Sequence, residues 1–214
     1  MPVEWDLLKG VPDEWARELL GRSQRRRFAR REVLFHAGDP AGSLHLIAKG
    51  RVAIRVTTPL GDVATLDLLV AGNVLGEMAL LAPGGTRSAT AVALEPTETH
   101  MVDAASFAEL RREHPELTEV LVAILATRVR QLNDRLLEAL YVPADTRLVR
   151  RVLELAGVYG SVIPLTQEDL AGLTGATRAT VNRVLRREEK AGTVALGRGR
   201  LSILDREGLA RRAR

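Results

Sequence analysis

Between residues 115 and 141 the apolar side chains fall on a single stripe. Val122, Leu125, Val129, Leu132, Leu136 and Ala139 step by three and four, the spacing of a heptad seam. Pro115 suits the first turn of a helix, where a missing N–H costs nothing. Val142-Pro143-Ala144 ends it, because a proline further in would remove a hydrogen bond and clash with the preceding turn. At roughly 1.5 Å per residue such a helix is about 40 Å long. Whatever precedes and follows is therefore tied to the two ends of one rod. Glu119, Arg128, Arg130, Asp134, Arg135 and Glu138 lie around the seam, which packs either on its own domain or on a second copy. One long helix with so clean a seam favours the second copy, a homodimer.

The text on the two sides of the rod differs. Residues 1–30 read as a helical lead-in anchored by Leu7, Leu8, Trp15, Leu19 and Leu20. From about residue 31 to 103 short strand-type runs alternate with turn residues. Val33 and Phe35 precede Gly38-Asp39-Pro40, and Val52, Ile54 and Val56 precede Pro59-Leu60-Gly61-Asp62. Further runs cover Ala64–Val70 and Ala89–Leu94, with glycines at 38, 42, 50, 61, 72 and 76. Many short strands with regular glycine turns predict a sandwich or barrel and not βαβ units.

After the break, Asp145 is placed to N-cap a helix over 145–158. LTQEDLAGLTGATRATVNRVLRREEKAG (165–192) then reads as two helices, capped by Thr166 and Thr177 and joined at Gly175. Val181, Val184 and Leu185 give the second helix its buried face, leaving Arg178, Thr180 and Arg183 pointing elsewhere. This is helix–turn–helix grammar. Thr193–Leu196 and Arg200–Leu204 flank Gly197-Arg198-Gly199, a hairpin with a basic tip suited to backbone phosphates. Residues 1–144 hold 17 Lys/Arg against 19 Asp/Glu, whereas 145–214 hold 14 against 8. A polyanionic partner is thus expected for the last third alone. Arginine supplies 28 of the 31 basic residues, which suits forked phosphate and base contacts.

With these elements in order, the chain resembles the cyclic-AMP receptor protein (Crp/Fnr) family of bacterial transcription regulators over nearly its whole length. The implied fold is α+β: an N-terminal jelly-roll-like cyclic-nucleotide-binding β-roll, a long dimerisation helix and a C-terminal winged helix–turn–helix. The corresponding divisions are 1–114, 115–144 and 145–214. The most specific segment is GEMALLAPGGTRSAT (76–90), which is similar to the family's phosphate-binding cassette. The resemblance implies that Gly76 donates a backbone amide, that Glu77, followed by Met78, holds a ribose hydroxyl, and that Arg87 pairs with the cyclic phosphate with Ser88 beside it. The chemistry is sound on its own terms. An anion held away from water needs a guanidinium and convergent N–H donors, and a carboxylate beside it is tolerable where it accepts from hydroxyls. The alternative is a salt bridge between Glu77 and Arg87 in a vestigial pocket.

Two departures matter. The dimer-helix positions that contact adenine in cyclic-AMP-responsive members are here Leu132 and Asn133, and a leucine cannot hydrogen-bond the base. Cyclic AMP therefore leads as effector, while another nucleotide or effector-independent activity stays open. In the reading helix Arg178 and Arg183 match the family's DNA-facing arginines, but Ala179 stands where a glutamate is common, removing an acceptor for a cytosine amino group. Thr166, Thr177, Arg178, Ala179, Thr180, Arg183 and Arg198 are the expected DNA-contacting set, with a double-stranded operator, a second copy and RNA polymerase as partners. No obligatory cofactor is expected.

Other classes are disfavoured, and the helix–turn–helix argues against a cyclic-nucleotide-binding module that acts on a protein partner. The absence of cysteine removes disulfides, thiolate nucleophiles, cysteine-ligated zinc and iron–sulfur clusters. His36, His45, His100 and His114 show no metal-ligand spacing, and no nucleophile elbow appears, so neither a metal site nor an enzyme is expected. No apolar run approaches the roughly 20 residues of a membrane span, and the acidic start lacks a signal-peptide pattern, so a cytoplasmic protein is expected.

Overall fold

A computed structural model describes residues 4–9, 11–59, 61–81 and 85–213. Leu60 of the expected 59–62 turn and residues 82–84 of the cassette lie outside the described residues. Packing divides the chain into two units, residues 1–56 with 66–130, and residues 57–65 with 131–214.

The first unit opens with a 3-10 turn (Asp6–Leu8) and α1 (Asp13–Gly21), the latter with Asp13 and Glu14 in its first turn, where the helix dipole favours them. Strands β1 (Gln24–Phe28), β2 (Val33–Phe35), β3 (Ser43–Lys49), β4 (Arg51–Thr57), β5 (Val63–Val70) and β6 (Val74–Leu75) follow. Then come the short α2 (Glu77–Leu81), β7 (Thr90–Ala93), β8 (Thr97–Asp103) and α3 (Ala104–Glu113), and the unit ends within α4 (Glu116–Tyr141). The strands form two four-stranded sheets, ordered β1-β8-β3-β6 and β2-β7-β4-β5, which make the β-roll. The pairings β1·β8, β3·β8, β3·β6, β2·β7 and β4·β7 are all antiparallel. Leu44 and Leu46 of β3, Val102 of β8 and Phe107 and Leu110 of α3 form one core with Leu117 and Leu121 of α4. Ile47, Val52, Leu69, Leu75 and Ala91 form a second core. Gly50, at φ +91°, turns β3 into β4 where a Cβ would lie 2.7 Å from the Thr97 Cα, so only glycine fits.

Two sequence expectations are corrected here. The helical lead-in stops at Gly21, and strand structure begins at Gln24 instead of about residue 31. Strand β1 reads QRRRF, with only Phe28 buried, so it carries no apolar alternation to announce it. It is an edge strand whose arginines face solvent, and Arg25 and Arg27 meet Glu98 on β8 at 3.2 and 3.3 Å.

The second unit carries α5 (Ala144–Tyr159), β9 (Val162–Ile163), α6 (Gln167–Thr174), α7 (Arg178–Lys190), β10 (Val194–Gly197), β11 (Arg200–Ile203) and α8 (Arg206–Arg212). Leu148, Val149 and Val152 of α5, Leu170 of α6, Val181, Val184 and Leu185 of α7, and Leu209 of α8 are buried. The wing hairpin β10·β11 gains a third strand, β9, through Leu201↔Ile163 and Ser202↔Val162. Asp145 does not cap α5. Pro143 occupies the N-cap without a side-chain bond, and Asp145 lies in the first turn with its carboxylate turned to α7.

Candidate functional site

In the first unit the cassette residues converge. Gly76 has φ +87°, and a Cβ there would sit 2.4 Å from Nη1 of Arg87, so the close approach requires glycine. Arg87 is 5 % exposed. Its Nη1 donates to the Gly76 carbonyl at 2.9 Å, its Nη2 to the Ser43 carbonyl at 2.6 Å and the Ser43 hydroxyl at 3.3 Å, and its guanidinium lies 4.1 Å over the Phe35 ring. Backbone bonds Gly38 N–H to Arg87 O and Arg87 N–H to Asp39 O, both 2.8 Å, fix its main chain. Burial lowers the Arg87 pKa, opposed by the nearby Asp39 and Glu77 carboxylates. The Nε of Arg87 is buried without a hydrogen-bond partner among the described residues.

Glu77, at the start of α2, is wholly buried. Its Oε1 accepts from Nη1 of Arg128, whose Nη2 donates to the Val74 carbonyl. Its Oε2 is buried without a partner among the described residues. Burial raises the Glu77 pKa, while Arg128 and Arg87 pull it down. The expected alternative of a Glu77–Arg87 salt bridge is not what forms: the carboxylate pairs with Arg128 on α4, and the guanidinium of Arg87 turns to carbonyls. Sequence reasoning placed Arg128 only beside the seam, since its partner is 51 residues away and no local pattern signals it. Met78 and Ser88 are exposed. Leu132 and Asn133 belong to the second unit and have exposed side chains. A buried carboxylate oxygen and a buried guanidinium Nε, each lacking a partner, can respectively accept from a hydroxyl and donate to an anion.

In the second unit Thr166 and Asp169 form a reciprocal capping box on α6, so the Thr166 hydroxyl already bonds within the helix start. Gly175, left-handed at φ +60°, makes the turn. Thr177 caps α7, accepting from Thr180 N–H at 3.1 Å, and its hydroxyl lies 3.0 Å from that of Thr180. Arg178 and Ala179 are exposed in the first turn, and Arg198 is exposed at the wing tip. Arg183 is not free: Nη2 and Nη1 donate to the two oxygens of Asp145 at 2.6 and 3.0 Å. The hydrogen bond from Arg183 holds the Asp145 carboxyl below the usual carboxylate range, and Arg187 adds to it.

Elsewhere, Glu18, Glu113 and His114 bring ligand-type atoms within 4.8 Å of one another. Arg22 already joins Glu18 and Glu113 at 2.5 and 3.0 Å, so the cluster holds its own cation.

A sensor-type β-roll followed by a long helix and a winged helix–turn–helix defines a DNA-binding regulator. Residues 25–114 match the cyclic nucleotide-binding domain and residues 146–212 the Crp-like helix-turn-helix domain. The chain is 34 % identical over 198 residues to the cyclic AMP receptor protein of Thermus thermophilus, covering 92 % of this chain and 91 % of that one. It is 30 % identical over 195 residues to a CRP-like cAMP-activated global transcriptional regulator of Mycobacterium tuberculosis, covering 87 % of each. Among solved structures, the Thermus thermophilus catabolite activator protein aligns with a TM-score of 0.57 at 33 % identity over 97 % of this chain and 98 % of that one. The c-di-GMP responsive regulator CLP of Xanthomonas campestris aligns at 0.79 and 20 % identity over 90 % and 99 %, a likeness of fold. The chain belongs to the Crp/Fnr family of transcription regulators, which are DNA-binding proteins and not enzymes. Among the described residues no helix is long and apolar enough to cross a membrane.

Proposed function

We propose that this regulator is a homodimer gated by a small anionic nucleotide, with cyclic AMP as leading effector. Residues 1–114 sense it, 115–144 couple two copies, and 145–214 read a double-stranded operator and present the complex to RNA polymerase in the cytoplasm. The observation that carries the reading is the wholly buried Glu77, one oxygen held by Arg128 and the other without a partner among the described residues, next to the buried cation Arg87. Leaving a buried carboxylate oxygen unmatched is costly, and a ribose hydroxyl supplies the donor it lacks. Gly76 and Arg87, with Ser88 beside them, take the phosphate, Met78 borders the site, and Leu132 and Asn133 face the base. The Thermus relative's name supports cyclic AMP, while Leu132 argues that base recognition here is looser than in a chain with a polar residue at that position.

On the DNA side, Arg178, Ala179, Thr180 and Arg183 address base edges, Thr166 and Thr177 lie near the backbone, and Arg198 meets a phosphate from the wing.

A second reading has an observation of its own. Arg128 already neutralises Glu77, and carbonyls already occupy two nitrogens of Arg87, which suits a regulator that works without effector. Thermal melts of the full chain against cyclic and linear nucleotides separate the two. One-site binding at 100 times Kd adds about 2.7 kcal/mol of stability. Arg87→Ala should abolish that shift without changing the dimer. A parent protein that binds operator DNA unaided and melts identically with every nucleotide would establish the second reading instead.

A further inference from the structure

Asp145, in the first turn of α5, turns its carboxylate away from its own helix and onto the reading helix α7. Three guanidinium nitrogens reach it: Arg183 Nη2 at 2.6 Å, Arg183 Nη1 at 3.0 Å and Arg187 Nη1 at 3.0 Å. Arg187 is anchored in turn, its Nε lying 3.4 Å from Oε1 of Glu188. Glu188 is 1 % exposed and is held by the Thr193 hydroxyl at 2.9 Å and by Arg212. A continuous polar chain therefore runs from the core of the domain through Glu188, Arg187 and Asp145 to Arg183.

The way Arg183 is held decides what the contact does. A guanidinium offers two forks, one formed by its two terminal nitrogens and one formed by Nε with a terminal nitrogen. Asp145 takes the first, since both Nη atoms donate to it and Nε does not. The Nε–H and the second N–H of the neighbouring Nη make no hydrogen bond among the described residues, and the Arg183 side chain is 60 % exposed even when paired. A fork of two parallel donors is what a guanine presents its O6 and N7 to. A contact that merely sequestered Arg183 would bury it, and this one leaves most of the side chain in solvent. An aspartate in the first turn also suits the α5 dipole, but that function calls for no arginine.

We propose that Asp145 is a positioning residue for DNA readout: it grips Arg183 end-on, aims the Nε fork at a base, and so sets specificity at the base pair that Arg183 reads. This rests on the reading of α7 as the DNA-reading helix. Its thermodynamic logic is preorganisation. A long exposed arginine ordered before binding loses less side-chain freedom on reaching its base, and competing orientations toward phosphates are suppressed. Removing the carboxylate also removes a negative charge near DNA, so affinity for non-cognate sequence should hold or rise while discrimination falls. Those opposite signs separate positioning from simple repulsion.

The test uses full-length parent, D145A, D145N, R183A and the double variant D145A/R183A, each selecting from a pool of duplexes with a randomised two-fold site, with and without cyclic AMP. The expected result is that D145A and D145N lose preference at the same symmetric base pair as R183A, by about tenfold, toward the low end of what one forked arginine–guanine contact discriminates. The double variant should lose no more than R183A alone, because both act through one contact. Should D145A fold poorly, judged by its melt, the near-isosteric D145N decides. Unchanged base preference in the Asp145 variants with a uniform rise in affinity would overturn the inference and leave Asp145 as a repulsive charge. If R183A selects the parent's operator, or the parent enriches no duplex, the reading of Arg183 as a base-contacting side chain fails first, and the inference falls with it.

Discussion

Buried polar residues in the β-roll show how far single side chains can be pushed by their surroundings. His45 is buried on β3, with Nδ1 3.0 Å from the Thr99 hydroxyl of β8 and Nε2 3.4 Å from the Ser43 hydroxyl that Arg87 also contacts. Burial first, then the Arg87 charge, lowers its pKa from 6.5 to about 4. Between those values the unfolded chain binds a proton that the folded chain refuses, so stability rises with pH from 4 to 6.5 and is lost as pH falls. The full effect is about 3 kcal/mol below pH 4. His100 shifts in the same direction, so the informative quantity is the difference between parent and His45→Gln. Urea melts between pH 4.5 and 7 should show a shallower slope for the variant, and equal slopes would mean that His45 is not the proton refused. Residue chemistry of this kind was only partly legible beforehand. Gly76, Glu77 and Arg87 stand out because the cassette is a contiguous motif. Arg128, Ser43 and Phe35 do not, because their partners lie 51, 44 and 52 residues away and only tertiary packing brings them in.

At the scale of elements, periodicity is informative where one face meets solvent and uninformative elsewhere. The α4 stripe and the α6–α7 pair match their expected helices closely, since a strong 3.6-residue pattern and clear caps mark both. Strand β3 has no alternation because four successive residues, Leu44–Ile47, are buried, and β1 has none because four are exposed. The α4 stripe itself has an unusual disposition. Only Leu117 and Leu121 are buried, whereas Val129 is 55 % and Leu132 47 % exposed, and Val122 and Leu136 are more exposed still. A leucine fully buried against a second copy contributes about 2 kcal/mol, and several along one seam are enough to favour a dimer. Replacing Leu125 and Leu132 together with glutamate should give monomers by light scattering, because unpaired charges would face one another in a desolvated seam. A dimer mass that survives the double substitution would remove the seam from the interface. Capping is a second element-scale lever: Thr177→Ala deletes the acceptor for Thr180 N–H and should cost about 1 kcal/mol, read as a lower thermal midpoint.

For the molecule as a whole, the uneven charge becomes an expectation about DNA. The basic excess lies in residues 145–214, and the α7 start and the wing present it in different ways. Arg178 and Arg183 lie five residues apart on one helix, so they emerge at different heights and address different base pairs. Arg198 lies at the Gly197-Arg198-Gly199 tip, where Gly197 pairs with Arg200 across the hairpin and holds the tip to the wing. A wing-tip arginine suits a phosphate, which carries no sequence information, and a groove-facing arginine suits a base. With two copies related by a two-fold axis, half-sites about 34 Å apart are expected. Arg183→Ala should then lose about 1–3 kcal/mol of discrimination at one symmetric pair of positions. Arg198→Ala should weaken all duplexes alike and flatten the dependence of log affinity on log salt by about one unit. Titrations of each variant on the selected operator and on a scrambled duplex, over a range of salt, distinguish these roles. If Arg183→Ala instead lowers affinity for both duplexes equally and reduces the salt slope, Arg183 contacts phosphate, and base preference must come from Arg178, from Thr180 or from the energetics of bending the operator.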